Sequence, residues 1–322
     1  MKFIIRKNSL RPKIVFIDGL TRVGKSLFSG IIPSFKNIEH TDFVADFELL
    51  MSSYQCKKIK FDSLRAHTHK YFLEKAYNKL ISRSVNFRPN DQTGMENYAF
   101  KEITKKRLKK KEGDDILKAL SKSKNSYLYQ THDMMLHGNS LAKLDLNLKI
   151  IEVYRNPFDL VYGWIKKDFM NRFTNDERLW GYPIIKFNNG FEGIWYHKFV
   201  KKYFKIWGKL NNAEKTGLMV LEMIKKSINN QNIIEKKIKI LTLNYEEIIY
   251  DENIVKKLEK FLKTKHSKFT KDFFKKMDIP RKSIEKEQIF KKKYLKNNVN
   301  NTIFNELTNL EDKYKSNVYG LK

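Results

Sequence analysis

The chain has 322 residues, of which 41% are hydrophobic, so it can bury a sizeable core in one large domain or two smaller ones. Its formal net charge of +29 favours anionic ligands, but the lysines are scattered along the chain, so charge alone does not indicate a nucleic-acid partner. The single cysteine, Cys56, excludes an intrachain disulfide framework, and the sequence predicts neither a signal peptide nor a membrane span.

The first predicted element is a strand that runs into a glycine-rich turn and a helix. Residues 13–26 read KIVFIDGLTRVGKS, and the apolar run at residues 14–17 predicts a buried strand, whereas the following SLFSGII has helical spacing. The pattern GxxxxGKS therefore falls in a strand-to-helix turn. Such a loop surrounds a phosphate with backbone N–H groups, the helix dipole adds to this, and Lys25 supplies a mobile positive charge. A chance glycine turn is the alternative, but both flanks favour a phosphate-binding loop.

A mostly helical region follows the loop. Residues 37–50 predict a short second strand and the start of a helix, and residues 61–123 are mostly helical apart from a polar loop at residues 85–94. The basic run KKRLKKK at residues 105–111 is expected to be a solvated helix face or loop.

Two further strands end in polar clusters. Residues 125–132 predict a strand that ends in QTH, and residues 148–154 predict one that ends in YRNP, followed by a helix from Asp159. A late strand is predicted over residues 237–248, before an amphipathic helix at residues 254–263.

This alternation predicts an α/β fold with a central parallel sheet covered by helices on both faces, in which ligands bind beyond the carboxyl ends of the strands. No linker or repeat divides the chain, so we expect one domain over residues 1–322 with helical insertions, in a cytoplasmic protein. The aromatic middle, with Trp180, Trp195 and Trp207, is expected to be core.

The order of these motifs resembles that of the sulfotransferases that use 3′-phosphoadenosine-5′-phosphosulfate (PAPS). That family is related to the P-loop proteins and has a five-stranded parallel sheet. Its (R/K)-S-G-T-T loop, which binds the 5′-phosphosulfate, corresponds to residues 22–26, and its R-N-P motif, which holds the 3′-phosphate, corresponds to Arg155 and the two residues after it. The histidine of its K-T-H motif, the general base, corresponds to His132. Its late Y-E-D-L motif corresponds to residues 245–248.

The resemblance implies transfer of a sulfuryl group from PAPS to a hydroxyl or amine, without a required metal. His132 and Lys25 would be catalytic. The donor would be bound by Gly19, Thr21, Arg22, Val23, Gly24, Lys25, Ser26, Leu27, Arg155 and Gly163. Fixed cations and N–H donors would stabilise the charge of a loose, in-line transition state, and the histidine would accept the proton of the acceptor.

Three departures from the family pattern stand out. Gly163 occupies the position of a serine that usually binds the donor, and the pair Lys25-Ser26 makes the loop a complete nucleotide-triphosphate loop as well. The C-terminal R-K-G motif is absent, and IPRKS at residues 279–283 is only a faint basic echo of it. Members that act on glycans or macromolecules also lack this motif, so its absence favours a larger acceptor, such as a glycan, over a small phenol or steroid.

Other interpretations remain open at this stage. The intact loop would also suit an ATP-dependent kinase, for which Asp133 and Glu152 are poor candidates for a magnesium ligand. A non-catalytic polyanion-binding protein is a third possibility, because the chain is so basic. Individually, His132 could be a structural residue, Asp133 a helix N-cap, and Arg155 a strand-end arginine in a salt bridge.

Overall fold

The computed structural model of the protein describes residues 1–6, 9–89, 91, 93–177, 183–251, 253–281 and 284–316. In these residues five parallel strands form one sheet in the order β2-β3-β1-β4-β7, and β5 and β6 form a separate antiparallel hairpin. The strands are β1 (Lys13–Asp18), β2 (Asp42–Phe43), β3 (Ser126–Gln130), β4 (Leu148–Tyr154), β5 (Ile185–Lys186), β6 (Glu192–Gly193) and β7 (Lys239–Asn244). The predicted parallel α/β fold is confirmed.

The sheet is buried on both faces because its central strands are apolar at nearly every position. Along β1, Ile14 and Phe16 enter one hydrophobic cluster, and the alternating residues Val15 and Ile17 enter the other. Since successive side chains of a strand point to opposite faces, a continuous apolar run requires helices on both sides.

One face of the sheet is covered mainly by the helices that follow β1, β4 and β7. These are α1 (Lys25–Ile31), α7 (Pro157–Lys166), α8 (Phe169–Asn175), α9 (Asn212–Glu235), α10 (Tyr245–Tyr250), α11 (Ile254–Leu262), α12 (Lys268–Lys276), α13 (Glu285–Asn298) and α14 (Asn301–Lys315). The aromatic middle belongs to this core, since Trp195 and Trp207 are buried in it, whereas Trp180 lies outside the described residues.

The opposite face is covered by helices that precede or follow β3. These are α2 (Ala45–Gln55), α3 (Phe61–Leu80), α5 (Asp114–Lys122) and α6 (Asn139–Ala142), with α4 (Lys101–Arg107) beside α3. Short 3₁₀ helices occupy Ile32–Ser34, Met95–Asn97, Met134–His137, Trp195–Tyr203 and Trp207–Lys209. Within the described residues no helix is both long and apolar enough to cross a membrane.

The late strand is shorter than predicted. It ends at Asn244, where the backbone N–H donates to the carboxylate of Glu247 over 3.2 Å and α10 begins at Tyr245. This reciprocal capping arrangement starts a helix inside a segment whose composition reads as a strand. Tyr245 is therefore placed at the edge of the sheet.

The basic run at residues 105–111 is solvated except at Arg107, where the sequence prediction was wrong. The Arg107 guanidinium donates two hydrogen bonds of 2.8 Å to the two carboxylate oxygens of Glu39, and both side chains are buried. Burial alone would raise the pKa of Glu39, but the hydrogen bonds and charge of Arg107 lower that pKa below its ordinary value. The pair fastens α4 to the segment before β2.

Arg107→Gln is expected to destabilise the fold by about 3–5 kcal/mol, because it leaves the Glu39 carboxylate buried without its partner. The matched control is Arg83→Gln, which removes an exposed pair with Glu112 and should cost at most about 1 kcal/mol. Urea unfolding of the two variants measures both effects. Equal losses in the two variants would contradict this account.

Candidate active site

The carboxyl ends of four strands bring together the motifs predicted from the sequence. The strand registers pair Ile17 with Gln130, Asp18 with Glu152, and Tyr154 with Asn244, so β1, β3, β4 and β7 end at one edge of the sheet. The segments that follow these ends are the glycine loop, the QTH segment, the YRNP segment and Tyr245. This is the edge at which parallel α/β sheets bind ligands.

Four consecutive carbonyl groups of the glycine loop accept hydrogen bonds from side chains of the protein. The Lys25 ammonium donates to the carbonyls of Gly19 and Leu20, the latter over 3.0 Å. The Trp164 indole donates to the Thr21 carbonyl over 2.7 Å. The Arg155 guanidinium donates to the Arg22 carbonyl over 3.1 Å. These bonds fix the shape of the loop, and the N–H group of Val23 adds one more by donating to the Leu20 carbonyl over 3.3 Å. A loop of this kind can bind an anion with its remaining N–H groups.

Two glycines let the loop pack tightly against its neighbours. Gly19 has a φ of 132°, and a Cβ there would lie 2.4 Å from the carbonyl oxygen of Val153. Gly24 has a φ of 102°, and a Cβ there would lie 2.4 Å from the ring of Tyr245. Both positions need glycine for conformation as well as for space. Gly19 thus serves the turn against β4, and Gly24 serves the contact with Tyr245.

The remaining loop residues differ in what they can offer a ligand. Arg22 and Ser26 are exposed at the mouth of the loop, whereas Val23 and Leu27 are buried in the hydrophobic core. Of the predicted donor-binding residues, Val23 and Leu27 can therefore contribute only backbone groups.

Lys25 is held more firmly than the mobile charge predicted from the sequence. Its side chain is buried and its ammonium is bound to the two loop carbonyls. Burial lowers the pKa of Lys25, while the carboxyl groups of Asp133, Asp18 and Glu152 act in the opposite direction. Its positive charge therefore lies beneath the loop, on the side of the sheet.

The carboxyl groups around Lys25 are themselves buried. Burial raises the pKa of Asp133 and of Glu152 well above the ordinary carboxyl value. Asp133 does not cap the following 3₁₀ helix with its side chain, contrary to the N-cap interpretation, because its carboxylate accepts the hydroxyl of Tyr196. Among the residues that the structure describes, no group of three or more His, Cys, Asp or Glu is arranged to hold a metal ion.

His132 is paired with a carboxylate that sequence reasoning missed. The Glu48 carboxylate of α2 accepts the backbone N–H of His132 over 2.6 Å and lies 3.2 Å from its Nδ1. Both side chains are partly exposed, at 27% for His132 and 16% for Glu48. With a proton on Nδ1 donated to Glu48, the Nε2 atom is left as the acceptor of a further proton. The only sequence signal for Glu48 was its position at the start of a helix after the second strand.

A second cationic cluster lies beside the loop. The guanidinium of Arg155 stacks over the ring of Tyr245, 4.5 Å from its centroid, and Arg281 donates to the Tyr245 hydroxyl over 3.2 Å. Arg281 belongs to the IPRKS segment that resembled the family's C-terminal motif only faintly, and its neighbours Lys282 and Ser283 lie outside the described residues. Sequence spacing alone could not show that residue 281 returns to Tyr245.

Arg155 also makes the kind of ion pair expected of a strand-end arginine with a structural role. Its Nε lies 3.6 Å from the carboxylate of Asp159, which also pairs with Lys291 at 3.2 Å. The side chain of Asn156 caps α7 by accepting the N–H of Phe158 over 2.9 Å. The ion pair that the structural interpretation proposed is present, but Arg155 also reaches the glycine loop through the Arg22 carbonyl.

Gly163 faces the same region from α7. A Cβ at this position would come only within 3.9 Å of the Arg22 side chain, so the site is open there. The neighbouring Tyr162 packs its ring against Phe290 and Tyr294 of α13. The glycine therefore leaves space between α7 and the loop, next to Arg22.

These groups fit a nucleotide that carries two separate anionic groups. The loop and Arg22 can bind one of these groups, and Arg155 with Arg281, both in contact with Tyr245, can bind the other. Arginine clusters and N–H-lined loops are the usual partners of phosphate and sulfate groups.

Residues 49–318 match the family model described as "Sulfotransferase domain", a range that includes His132, Arg155 and Arg281 and begins after the glycine loop. No curated protein matches the chain.

Two solved structures match the chain at low sequence identity. One is a sulfotransferase domain from the curacin biosynthetic pathway, with 13% identity, a TM-score of 0.36, and coverage of 84% of this chain and 75% of that one. The other is a sulfotransferase domain from the Synechococcus PCC 7002 olefin synthase, with 10% identity, a TM-score of 0.40, and coverage of 85% and 81%. The family model, which spans most of the chain, is the informative match.

Gly24→Ala is expected to destabilise the protein by about 2–5 kcal/mol, because it adds a clash with the Tyr245 ring to the cost of a positive φ. Gly113→Ala is the control, since that residue has a φ of 135° but nothing within 4 Å of the added carbon. In a Tyr245→Ala background the clash is absent, so Gly24→Ala should then cost about 1–3 kcal/mol, as the backbone strain alone does. Urea unfolding of the wild type, of the three single variants Gly24→Ala, Gly113→Ala and Tyr245→Ala, and of the double variant at residues 24 and 245 measures the difference. The same cost for Gly24→Ala in both backgrounds would contradict the contact.

Proposed function

Because this chain belongs to the sulfotransferase domain family, whose enzymes use PAPS as donor, we propose that it transfers the sulfuryl group to a hydroxyl or amine of a glycan or another large acceptor. The observation that carries the proposal is the contact of both Arg155 and Arg281 with Tyr245, beside the glycine loop. A loop for a single phosphate chain does not need this second cationic cluster, whereas a nucleotide with a separate 3′-phosphate does.

The donor would lie across the two loci. Residues 22–26 would bind the 5′-phosphosulfate through backbone N–H groups and Arg22, and Arg155 and Arg281 would bind the 3′-phosphate. Other members of the family have a donor-binding serine at the position of Gly163. Arg281 would supply the corresponding contact in this chain. Thr21 and Gly19 would act through their carbonyls, which hold the loop in shape.

When bound, PAPS supplies the sulfuryl group and a leaving group that gains negative charge in the transition state. Arg22 and the loop N–H groups would stabilise that charge with donors fixed before the reaction. Lys25 would support the same charge from beneath the loop, since its ammonium is bound to the carbonyls of Gly19 and Leu20. We therefore propose that Lys25 contributes to catalysis through its charge, by way of the loop.

His132 would accept the proton of the acceptor at Nε2. Glu48 would hold the imidazole in the required tautomer through Nδ1 and would stabilise the imidazolium that forms. The backbone bond from the N–H of His132 to the same carboxylate fixes the position of the pair.

Isothermal titration with adenosine 3′,5′-bisphosphate tests the donor site. The wild-type chain is expected to bind this product, and Arg155→Ala should weaken binding by about 10–100-fold, as expected for the loss of a charged hydrogen-bonding partner. The control is Arg172→Ala, which removes an arginine of α8 paired with Asp176 and should leave binding unchanged. Tight ATP binding without binding of the bisphosphate would refute the proposal.

His132→Ala is expected to lower kcat by about 10²–10⁴-fold while the affinity for the bisphosphate stays the same. Glu48→Gln should lower kcat less than His132→Ala does and leave the affinity for the bisphosphate unchanged, because the amide can still contact Nδ1 but carries no charge. The rate is measured as release of the bisphosphate from PAPS, with the best acceptor found in a panel of hydroxyl and amine compounds. An unchanged kcat for Glu48→Gln would show that Glu48 has only a structural role.

A further inference from the structure

An open cleft of about 560 Å³ lies at the far end of α2 from His132. Its walls are the C-terminal end of α2 with the turn after it, the β5–β6 hairpin, and the 3₁₀ helix Trp195–Tyr203. We call it the lysine cleft, after five lysines that line it: Lys57, Lys58, Lys186, Lys198 and Lys201. Its size is that of a site for a ligand, since such sites commonly measure about 300–1,000 Å³.

The positive charge of the lysine cleft is not neutralised by its own walls. No aspartate or glutamate is among the described residues that line it. Outside the lining, Glu192 lies 3.8 Å from Lys186 in an exposed pair, which is worth little in water. A potential of one sign concentrated in a concave surface attracts a ligand with several negative charges.

A second cavity in the molecule shows the contrast. It measures about 350 Å³ and lies along the edge strand β2, where its cations are matched by acids. There Arg107 pairs with Glu39 and Lys75 pairs with Asp42. Basic composition alone therefore does not produce a cleft without carboxylates.

The uncharged lining of the lysine cleft suits hydroxyl groups better than nucleobases. Asn188 offers an amide donor and acceptor and Asn189 an amide donor, whereas the Gln55 amide is already bound to Lys198 and Ser140. The aromatic rings already have partners, since the Lys201 ammonium lies 5.2 Å from the centre of the Phe187 ring and Phe204 stacks on Phe191 at 4.3 Å. Single-stranded nucleic acid binds through free aromatic faces on which its bases stack. The chemistry that fits is a chain with many hydroxyls and several anionic groups.

The lysine cleft is linked to the candidate base through α2 and the 3₁₀ helix. Glu48 and Gln55 lie seven residues apart on α2, which corresponds to about 10 Å along the helix axis. The Lys198 ammonium donates to the Gln55 carbonyl over 3.2 Å. On the other wall, Trp195 stacks on His137 at 4.8 Å, and the next residue, Tyr196, donates to Asp133 beside His132. An extended ligand in the cleft could therefore reach the pair of His132 and Glu48.

We propose that the lysine cleft binds an acidic sugar chain, one that carries carboxylate or sulfate groups, as the acceptor of the reaction. This inference rests on the proposed sulfuryl transfer, for which it names the acceptor class. The lysines bind the anionic groups of the chain and the amides bind its hydroxyls, so that one hydroxyl or amine of the chain lies at His132.

The test measures binding of a fluorescent heparosan octasaccharide, an unsulfated chain with alternating carboxylates, by fluorescence anisotropy at low salt. The triple variant Lys57→Gln, Lys58→Gln, Lys201→Gln is expected to raise Kd at least about 10-fold, since it removes three charged contacts from one concave site. The matched control is the triple variant Lys109→Gln, Lys110→Gln, Lys111→Gln, which removes the same charge from exposed lysines elsewhere. The control should change Kd by less than about 2-fold.

Two further probes decide the ligand class. Maltooctaose, a neutral chain of the same length, should bind at least about 10-fold more weakly, because it has no group for the lysines. An eight-nucleotide DNA strand should compete poorly for the octasaccharide. Equal effects of the two triple variants, or displacement by DNA as effective as displacement by the octasaccharide, would overturn the proposal.

Titration of adenosine 3′,5′-bisphosphate into the same variants separates this inference from the proposed function. Both triple variants should bind the bisphosphate like the wild-type chain. If the wild-type chain binds the bisphosphate but the cleft variant binds the octasaccharide as tightly as the control variant does, only the acceptor site is refuted. If the cleft variant binds the octasaccharide more weakly than the control variant does, but the wild-type chain does not bind the bisphosphate, the proposed function fails. The cleft then remains a binding site for acidic sugars.

Discussion

The candidate active site depends on the hydrogen bonds that the carbonyl groups of the glycine loop accept from side chains of the protein. Lys25, Trp164 and Arg155 together bind the carbonyls of four consecutive residues from Gly19 to Arg22. These bonds fix the shape of the loop, and a loop of this kind can meet an anion with its free N–H groups. Because the fold fixes the loop before an anion binds, the loop loses little conformational entropy on binding. Because the donors come from α1, from α7 and from the turn between β4 and α7, the loop is held by the segments that follow β1 and β4.

Tyr245 joins this loop to the second cationic cluster. Its ring fills the space that a side chain at Gly24 would need, its face carries Arg155, and its hydroxyl binds Arg281. The residue sits there because β7 ends at Asn244 and α10 begins directly afterwards. The family model matches residues 49–318, a range that does not include the glycine loop. Tyr245 and Arg155 lie inside this range and contact the loop.

The fold was largely predictable, because strand and helix periodicity and the polar residues at strand ends are local signals. The positions of His132, Arg155 and the glycine loop followed from them. Glu48, Arg281 and the buried state of Lys25 did not, since each depends on which distant segments meet. Glu48 reaches His132 only because β2 lies beside β3, and Arg281 returns from a C-terminal segment. The basic run was misjudged at Arg107 for the same reason, because its partner Glu39 lies before β2.

Two separate anion-binding loci are proposed to flank Tyr245, and a crystal structure with adenosine 3′,5′-bisphosphate tests this most directly. We expect the 5′-phosphate on the N–H groups of residues 22–26 and the 3′-phosphate between Arg155 and Arg281. A 3′-phosphate that points to solvent, or that contacts neither arginine, would contradict it.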